Sequence, residues 1–501
     1  MKTDQMIVNR VSRLVSFNAL VAAIVGAVIV TSACTSVGPD YRIPPQSVLQ
    51  RTQAAAPLIG SGEAPFRLSP LPSHWWQLYQ DPVLDHLIQM AFAANTDLRI
   101  AAANLERVQA VAQQNARAGD PTVGVSAGPE YGRPSAVSMG LAGPIPDSWL
   151  YDVGARISYQ LDFVGKISRV IEASKADAQA AEAGYDMVRV TVAAATARAY
   201  VDNCAAGQER QVAQYSVDLQ DQFVRLIEQR VRAGRGTAFD SSRARSQLEQ
   251  LRAVIPPLLA QQRIAQFRLA VLVGEVPGAL SSELSATLER CHVVPRVMKP
   301  IPVGDGAALL KRRPDIREAE RRLAAATARI GVVTAELYPE ISVGLSVGST
   351  GELADFGAQN ASRWGVGPLI SWTIPSPGTA RSRIAQAEAG SRGALAHFDA
   401  TVLNGLRESE SALALYAREL DRHAALQAAR DQSALAAKQA TSLYRFGRTD
   451  LLTALDVDRT LASAESALAM SEAQLAIDQV GLFLALGGGW EAENPPTVQA
   501  Q

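Results

Sequence analysis

The chain has 501 residues, with 48 Lys and Arg against 49 Asp and Glu and a formal net charge of −1. That balance, with no long basic run, excludes the electrostatic footprint that nucleic-acid binding requires. Five histidines (His74, His86, His292, His397, His423) and three cysteines are scattered without the close pair spacing of a zinc or other transition-metal site, so no metal and no cofactor is expected.

Lys2, Arg10 and Arg13 precede an apolar run from Ala19 to Val30, which suits the core of an export signal and is too short to span a bilayer as a helix. The run ends in Thr31-Ser32-Ala33-Cys34, which resembles the lipobox at which bacterial lipoproteins are cut, although Thr31 stands where Leu is usual. The expected start is a signal peptide over 1–33, an acylated Cys34 and a lipidated linker over 34–70. Thr35 rather than Asp follows the cysteine, which favours sorting to the outer membrane, and acylation there gives an anchor, not a span. The alternative is an ordinary signal peptide cut nearby, with an incidental cysteine.

The rest of the chain repeats itself. Asp97 and Pro121 recur as Asp315 and Pro339, both 218 residues later; Gly165, Gly234 and Gly274 recur as Gly378, Gly447 and Gly487, all 213 later. A constant offset over more than a hundred residues means a duplicated unit with one shorter loop. The expected copies span 71–290 and 291–490, followed by a tail over 491–501.

Each copy reads as helix, two strands and a very long helical hairpin. Leu98, Leu105 and Ala112, with Ala101 and Val108 beside them, give an amphipathic helix. Thr122 to Gly128 and Leu150 to Phe163 alternate apolar with small or polar residues as strands do, and their twins are Ile341 to Gly348 and Arg363 to Ile374. No proline occurs between Pro146 and Pro256 or between Pro377 and Pro495. The Ala-, Gln-, Arg- and Glu-rich stretch from Lys166 to Arg232 therefore predicts one helix of roughly 100 Å. Glycine-marked turns at Gly234 and Gly447 reverse the chain. The return helices carry Leu461, Leu468, Leu475 and Leu482, and Leu248, Ile255, Gln262 and Leu269, at intervals of seven, the spacing of coiled-coil packing. Pro256-Pro257 predicts a kink or restart in the first of them.

Four strands cannot close a barrel alone, because single-chain membrane barrels begin at about eight strands and open edges are not tolerated in lipid. Membrane strands here would require several chains to share one barrel; a small soluble sheet capping a helical stalk is the alternative. Gly124-Val125-Ser126-Ala127-Gly128 matches the G-x-S-x-G pattern of a hydrolase elbow, but it lies inside an alternating strand and recurs as Gly344-Leu345-Ser346-Val347-Gly348. An elbow belongs on a strand-to-helix turn, so no enzyme is expected.

Trp75-Trp76 with Asp81-Pro82 and Leu84, Asn95 to Arg99, Leu310 to Arg317, Ala328 to Pro339 and Cys34 to Tyr41 together resemble the outer membrane factor (TolC-like) family, in its NodT-type lipoprotein branch. The resemblance covers nearly the whole chain after the signal. It implies an α+β fold in which a homotrimer closes a twelve-stranded outer membrane barrel, four strands from each chain, continued by a long periplasmic α-helical barrel. Its partners would be a periplasmic adaptor, an inner-membrane transporter and outer membrane lipid, and its role a passive exit channel for small molecules. A protein-secretion duct or a non-channel coiled-coil scaffold lipoprotein are the alternatives. The resemblance also implies a constriction where the second hairpin tips meet: alignment on the Gly447 turn gives Asp456 the ring position, with Leu452 one turn earlier and Arg459 three residues later, and Thr453 where some relatives carry a second acid. The alternative is that Asp450, Asp456 and Asp458 only favour a helix start. Cys204 and Cys291, exported and matched by similar cysteines in that branch, form either a disulfide or two buried thiols.

Overall fold

The computed structural model describes residues 36–133, 135–137, 142–374 and 376–488. The expected signal peptide 1–33, Cys34 and the tail 491–501 lie outside the described residues.

In chain order the elements are β1 (Phe66–Arg67), α1 (Pro82–Ala94), α2 (Thr96–Ala116), β2 (Thr122–Gly132), β3 (Ser148–Leu161), α3 (Lys166–Arg232), α4 (Ala238–Arg252), α5 (Ile255–Leu272) and α6 (Ser282–Arg290). There follow β4 (Ile301–Pro302), α7 (Gly306–Arg312), α8 (Pro314–Ala335), β5 (Glu340–Glu352), β6 (Ser362–Ser371), α9 (Pro377–Arg445) and α10 (Leu451–Ala485). The long helices run unbroken for 67 residues in α3 and 69 in α9. The first return helix stops at Ala253–Val254 and restarts as α5 with Pro256 in its first turn, where a missing N–H costs nothing. Its twin α10 lacks the proline pair and continues for 35 residues.

The strands extend further than alternation alone predicts at their far ends: β2 reaches Gly132 and β5 reaches Glu352. Two others stop sooner, β3 at Leu161 rather than Phe163 and β6 at Ser371 rather than Ile374. Cross-strand pairing sets these limits. Glu352 pairs with Leu150 and Ser371 with Glu340, neither of which shows in local sequence.

The chain forms two compact units, one of residues up to Ile43, Arg107–Gln179 and Arg321–Ala396, the other of Pro44–Glu106, Ala180–Glu320 and from His397 onward. The first unit carries a four-stranded antiparallel sheet in the order β2-β3-β5-β6. The second holds the main core, where Trp75 stacks on Phe483 with centroids 4.7 Å apart and both side chains are fully buried. Leu468, Leu475 and Leu482 are buried as the heptad requires. Gln262, a polar residue at a heptad core position, is buried because its amide donates to the carbonyls of Leu288 and Glu289. Residues 44–70, part of the stretch read as a linker, are packed too. Ser47 donates to Asp399 at 2.7 Å, the Ile59 amide donates to Glu410 at 2.6 Å, and β1 pairs in parallel with β4.

The duplication extends to chemistry. In the first copy the Asn95 side chain caps α2, accepting from the Asp97 and Leu98 amides, and donates to the Leu272 carbonyl at the end of α5. At the twin position Arg313 donates to the Ala485 carbonyl at the end of α10 at 2.8 Å. Each helix end is followed by a glycine of positive φ, Gly274 at +78° and Gly487 at +68°. Both sit so close to the capping segment that a Cβ would lie 2.7 Å from the Ala94 carbonyl oxygen in one and 2.8 Å from Arg313 Cγ in the other.

Candidate functional site

The register of the sheet sorts its side chains into two faces. Val123, Ile157, Leu345 and Val366 form one cross-strand row and Val125, Ala155, Val347 and Trp364 the next, with Tyr131 against Trp149 at the far end. The large apolar side chains of these rows are 41–79% exposed. The opposite face carries Gly124, Arg156, Ser346 and Gly365, then Ser126, Gly154, Gly348 and Arg363. There Arg363 pairs with Asp152 and donates to Thr350 Oγ1 at 2.8 Å. One face is thus mostly apolar and exposed, with Tyr151 alone among its named rings covered by Phe356, the other is polar and cross-linked, and among the described residues the outer edges of β2 and β6 have no strand partner. A bare apolar sheet of this size is costly in water, whereas alternation between a lipid face and a polar lumen is what a barrel wall needs. Ser126 and Ser346 stand mid-strand in β2 and β5, not on a strand-to-helix turn, so neither is placed as a hydrolase elbow.

The tips of the helical hairpins hold the second group. Gly447, at φ +70°, turns the chain, and Asp450 caps α10 by accepting from the Thr453 amide at 2.8 Å. That hydrogen bond also holds the Asp450 carboxyl below its usual range. Asp450 therefore takes the helix-start role, leaving Asp456 without it. Leu452, Asp456 and Arg459 follow at helical spacing on one exposed stripe, and Arg459 donates to Asp456 at 2.6 Å. The opposite stripe, Ala454 and Leu455, is buried with Val217, Phe223, Ile227, Leu248 and Tyr444. Sequence reading missed Arg230, whose guanidinium lies 4.6 Å over the Tyr444 ring and donates to its carbonyl at 3.3 Å, joining the first-copy tip to the second. A lone Arg on a helix gives no signal of a ring on another helix.

Asp458 lies in a crevice lined by Gln220, Gln247 and Leu251, where Arg459 and Glu465 also contribute. Burial pushes its pKa up to about 6. Because the folded state holds this proton to higher pH than the unfolded chain, its stabilising contribution is complete below about 4 and is lost as pH rises through about 6. Asp458→Asn is therefore expected to raise the thermal midpoint at pH 7.5 and leave it nearly unchanged at pH 4, as followed by circular dichroism. An equal shift at both pH values would show that the carboxyl is not desolvated.

Cys204, fully buried on α3, and Cys291, just after α6, are joined in a disulfide. Gly207 lies one turn beyond Cys204, where a Cβ would come within 2.0 Å of the Cys291 carbonyl oxygen.

The family model described as "Outer membrane efflux protein" matches residues 87–275 and 307–488. The chain belongs to the outer membrane efflux protein family. The chain is 27% identical to the probable outer membrane lipoprotein SilC of Salmonella typhimurium, over 93% of this chain and 98% of SilC. It is 29% identical to the outer membrane protein OprJ of Pseudomonas aeruginosa, over 83% of this chain and 86% of OprJ. Among solved structures it is similar to the outer-membrane channel OprN, with a TM-score of 0.84, 35% identity, and coverage of 91% of this chain and all of that one. This member of the efflux family is an outer membrane protein, and its α+β fold of long helices and a four-stranded antiparallel sheet is that of the family's channels.

Proposed function

We propose that this protein is the outer membrane exit channel of a multi-component efflux pump, a passive duct for small molecules that performs no catalysis. The observation that carries the reading is the sheet: four strands, one face mostly apolar and exposed, the other polar, and both edges without a strand partner among the described residues. Three such sheets, joined β6 to β2, would satisfy every edge and give a twelve-stranded wall. The family relationship supports an energy source outside this chain, through a periplasmic adaptor and an inner-membrane transporter, and Cys34 would add an acyl anchor. The scaffold alternative leaves an apolar sheet face with nothing to cover it.

Chemical crosslinking of the detergent-purified protein is expected to stop at three subunits, and the same trimer is expected to conduct ions in planar bilayers. A monomer that does not partition into membranes would overturn the channel reading and favour the scaffold. Conductance wide enough to pass an unfolded polypeptide would favour the secretion duct.

A further inference from the structure

Each copy of the repeat leads into its first long strand through one helix, α2 in the first copy and α8 in the second, and the chain buries these twins unequally. On α8, Ile316, Ala319 and Leu323 are only 2–3% exposed. That helix packs on α3: Ala324 and Ala325 cluster with Ala176, Arg329 pairs with Asp177, and Arg317 pairs with Asp186 at 3.1 Å. The matching positions on α2 are Leu98, Ala101 and Leu105, of which only Leu98 is buried, and Ile100 and Val111 on the same helix are exposed. The other side of the interface is also duplicated, because α9 is the twin of α3. Ala176, Ala180 and Ala183 are buried on α3, whereas their counterparts Ala389, Gly393 and Ala396 on α9 are exposed. The ion pair has its twin as well: Arg317 stands 218 residues after Arg99, and Asp399 stands 213 after Asp186. Arg99 is exposed, and Asp399 accepts from the Ser47 hydroxyl and the Val48 amide, both through Oδ1, so its second oxygen can serve another donor.

We propose that α2 of one copy packs on α9 of the next as α8 packs on α3 within the chain, and that Arg99 of the first copy pairs with Asp399 of the second. This rests on the exit-channel reading above, whose β6-to-β2 joint it extends into the helices. The sheet says why the occupant is a second copy of this chain. Within the chain β3 pairs with β5; α3 follows β3, and α8 leads into β5, so the helices that meet are those attached to the paired strands. At the outer edges, α9 follows β6 and α2 leads into β2. Joining β6 of one copy to β2 of the next therefore brings α9 to α2 through the same connections. Opposite charges then fix the register of a head-to-tail contact that closes into a ring.

Full-length protein purified in detergent tests the contact with Arg99→Cys and Asp399→Cys made together and treated with a short bismaleimide. Covalent dimers and trimers are expected on a denaturing gel, and neither single variant should give them. Charge reversal tests the pair itself, with the trimer followed by native mass spectrometry on dilution. Arg99→Asp sets two carboxylates face to face, so the concentration at which the trimer dissociates should rise about tenfold or more. Asp399→Arg alone should weaken the trimer likewise, and the two together should return to within about threefold of the wild type, which lost packing would not do. An absence of inter-chain products overturns the contact, and additive losses in the double charge variant overturn the Arg99–Asp399 pair. In either case a wild-type trimer leaves the channel reading standing, whereas a wild-type monomer overturns both.

Discussion

Replacing Asp456 by alanine is expected to invert the ion preference of the channel without lowering the yield of trimer. In the proposed assembly three copies of Asp456 surround one axis. A carboxylate about 8 Å from an ion on that axis contributes about 0.5 kcal/mol even at the dielectric constant of water, so three change the local cation concentration by about tenfold at low salt. In the structure each Asp456 carries Arg459 at 2.6 Å on its own helix, which offsets much of that charge. Asp456→Ala removes three negative charges and frees three positive ones, so cation preference should fall and anions be favoured, with a raised or unstable closed-state conductance. Arg459→Ala should act in the opposite direction, and Asp458→Ala should change conductance little, because that side chain faces a crevice between helices. Single-channel recording at low ionic strength separates these. Wild-type selectivity in Asp456→Ala, or the same behaviour in Asp456→Ala and Asp458→Ala, would mean that the constriction lies elsewhere.

Arg313→Ala is expected to be the most destabilising single substitution considered. The guanidinium is 6% exposed and donates to Asp315 at 3.0 and 2.7 Å, to Glu408 at 2.8 Å and to the Ala485 carbonyl at 2.8 Å. Removing it leaves Asp315 without its cation, Glu408 with Arg407 alone and the Ala485 carbonyl with the Ser409 hydroxyl alone. Because the two carboxylates are 25% and 43% exposed and solvent screens them, the loss is expected to cost about 2–3 kcal/mol. Arg313→Lys should recover little, because one ammonium cannot reach all three acceptors. Asn95→Ala, at the twin position, should cost about 1 kcal/mol, since only neutral hydrogen bonds are lost. Arg418→Ala is the surface control: its partners Glu63 and Asp421 are solvent-exposed and the effect should stay below about 1 kcal/mol. Guanidinium unfolding of the helical signal in detergent measures all four. An Arg313→Ala midpoint no lower than that of Arg418→Ala would sink the claim that this arginine secures the end of α10.

Much of the fold was legible because its determinants are local. A helix of 67 residues needs only a long stretch without proline in helix-forming residues, and Lys166 and Arg232 are its limits in both the sequence reading and the structure. The proline pair at 256–257 likewise marks the restart between α4 and α5 by itself. Alternation located the strands but not their ends, which depend on partners up to two hundred residues away. The tip residues were singled out only through resemblance, whereas the assignment of Asp450 to the cap and Asp456 to the exposed stripe needed coordinates.

By itself the sequence determined an exported, duplicated chain of strands and very long paired helices, because signal cores, repeats, heptads and strand alternation are written in consecutive residues. Only the tertiary structure decided that β3 pairs with β5 across the duplication, that Arg313 closes the last helix, and that Cys204 meets Cys291 across 87 residues. Each of these joins groups far apart in the chain. Which distant group satisfies a buried donor, acceptor or strand edge is settled by packing, and no local pattern encodes it.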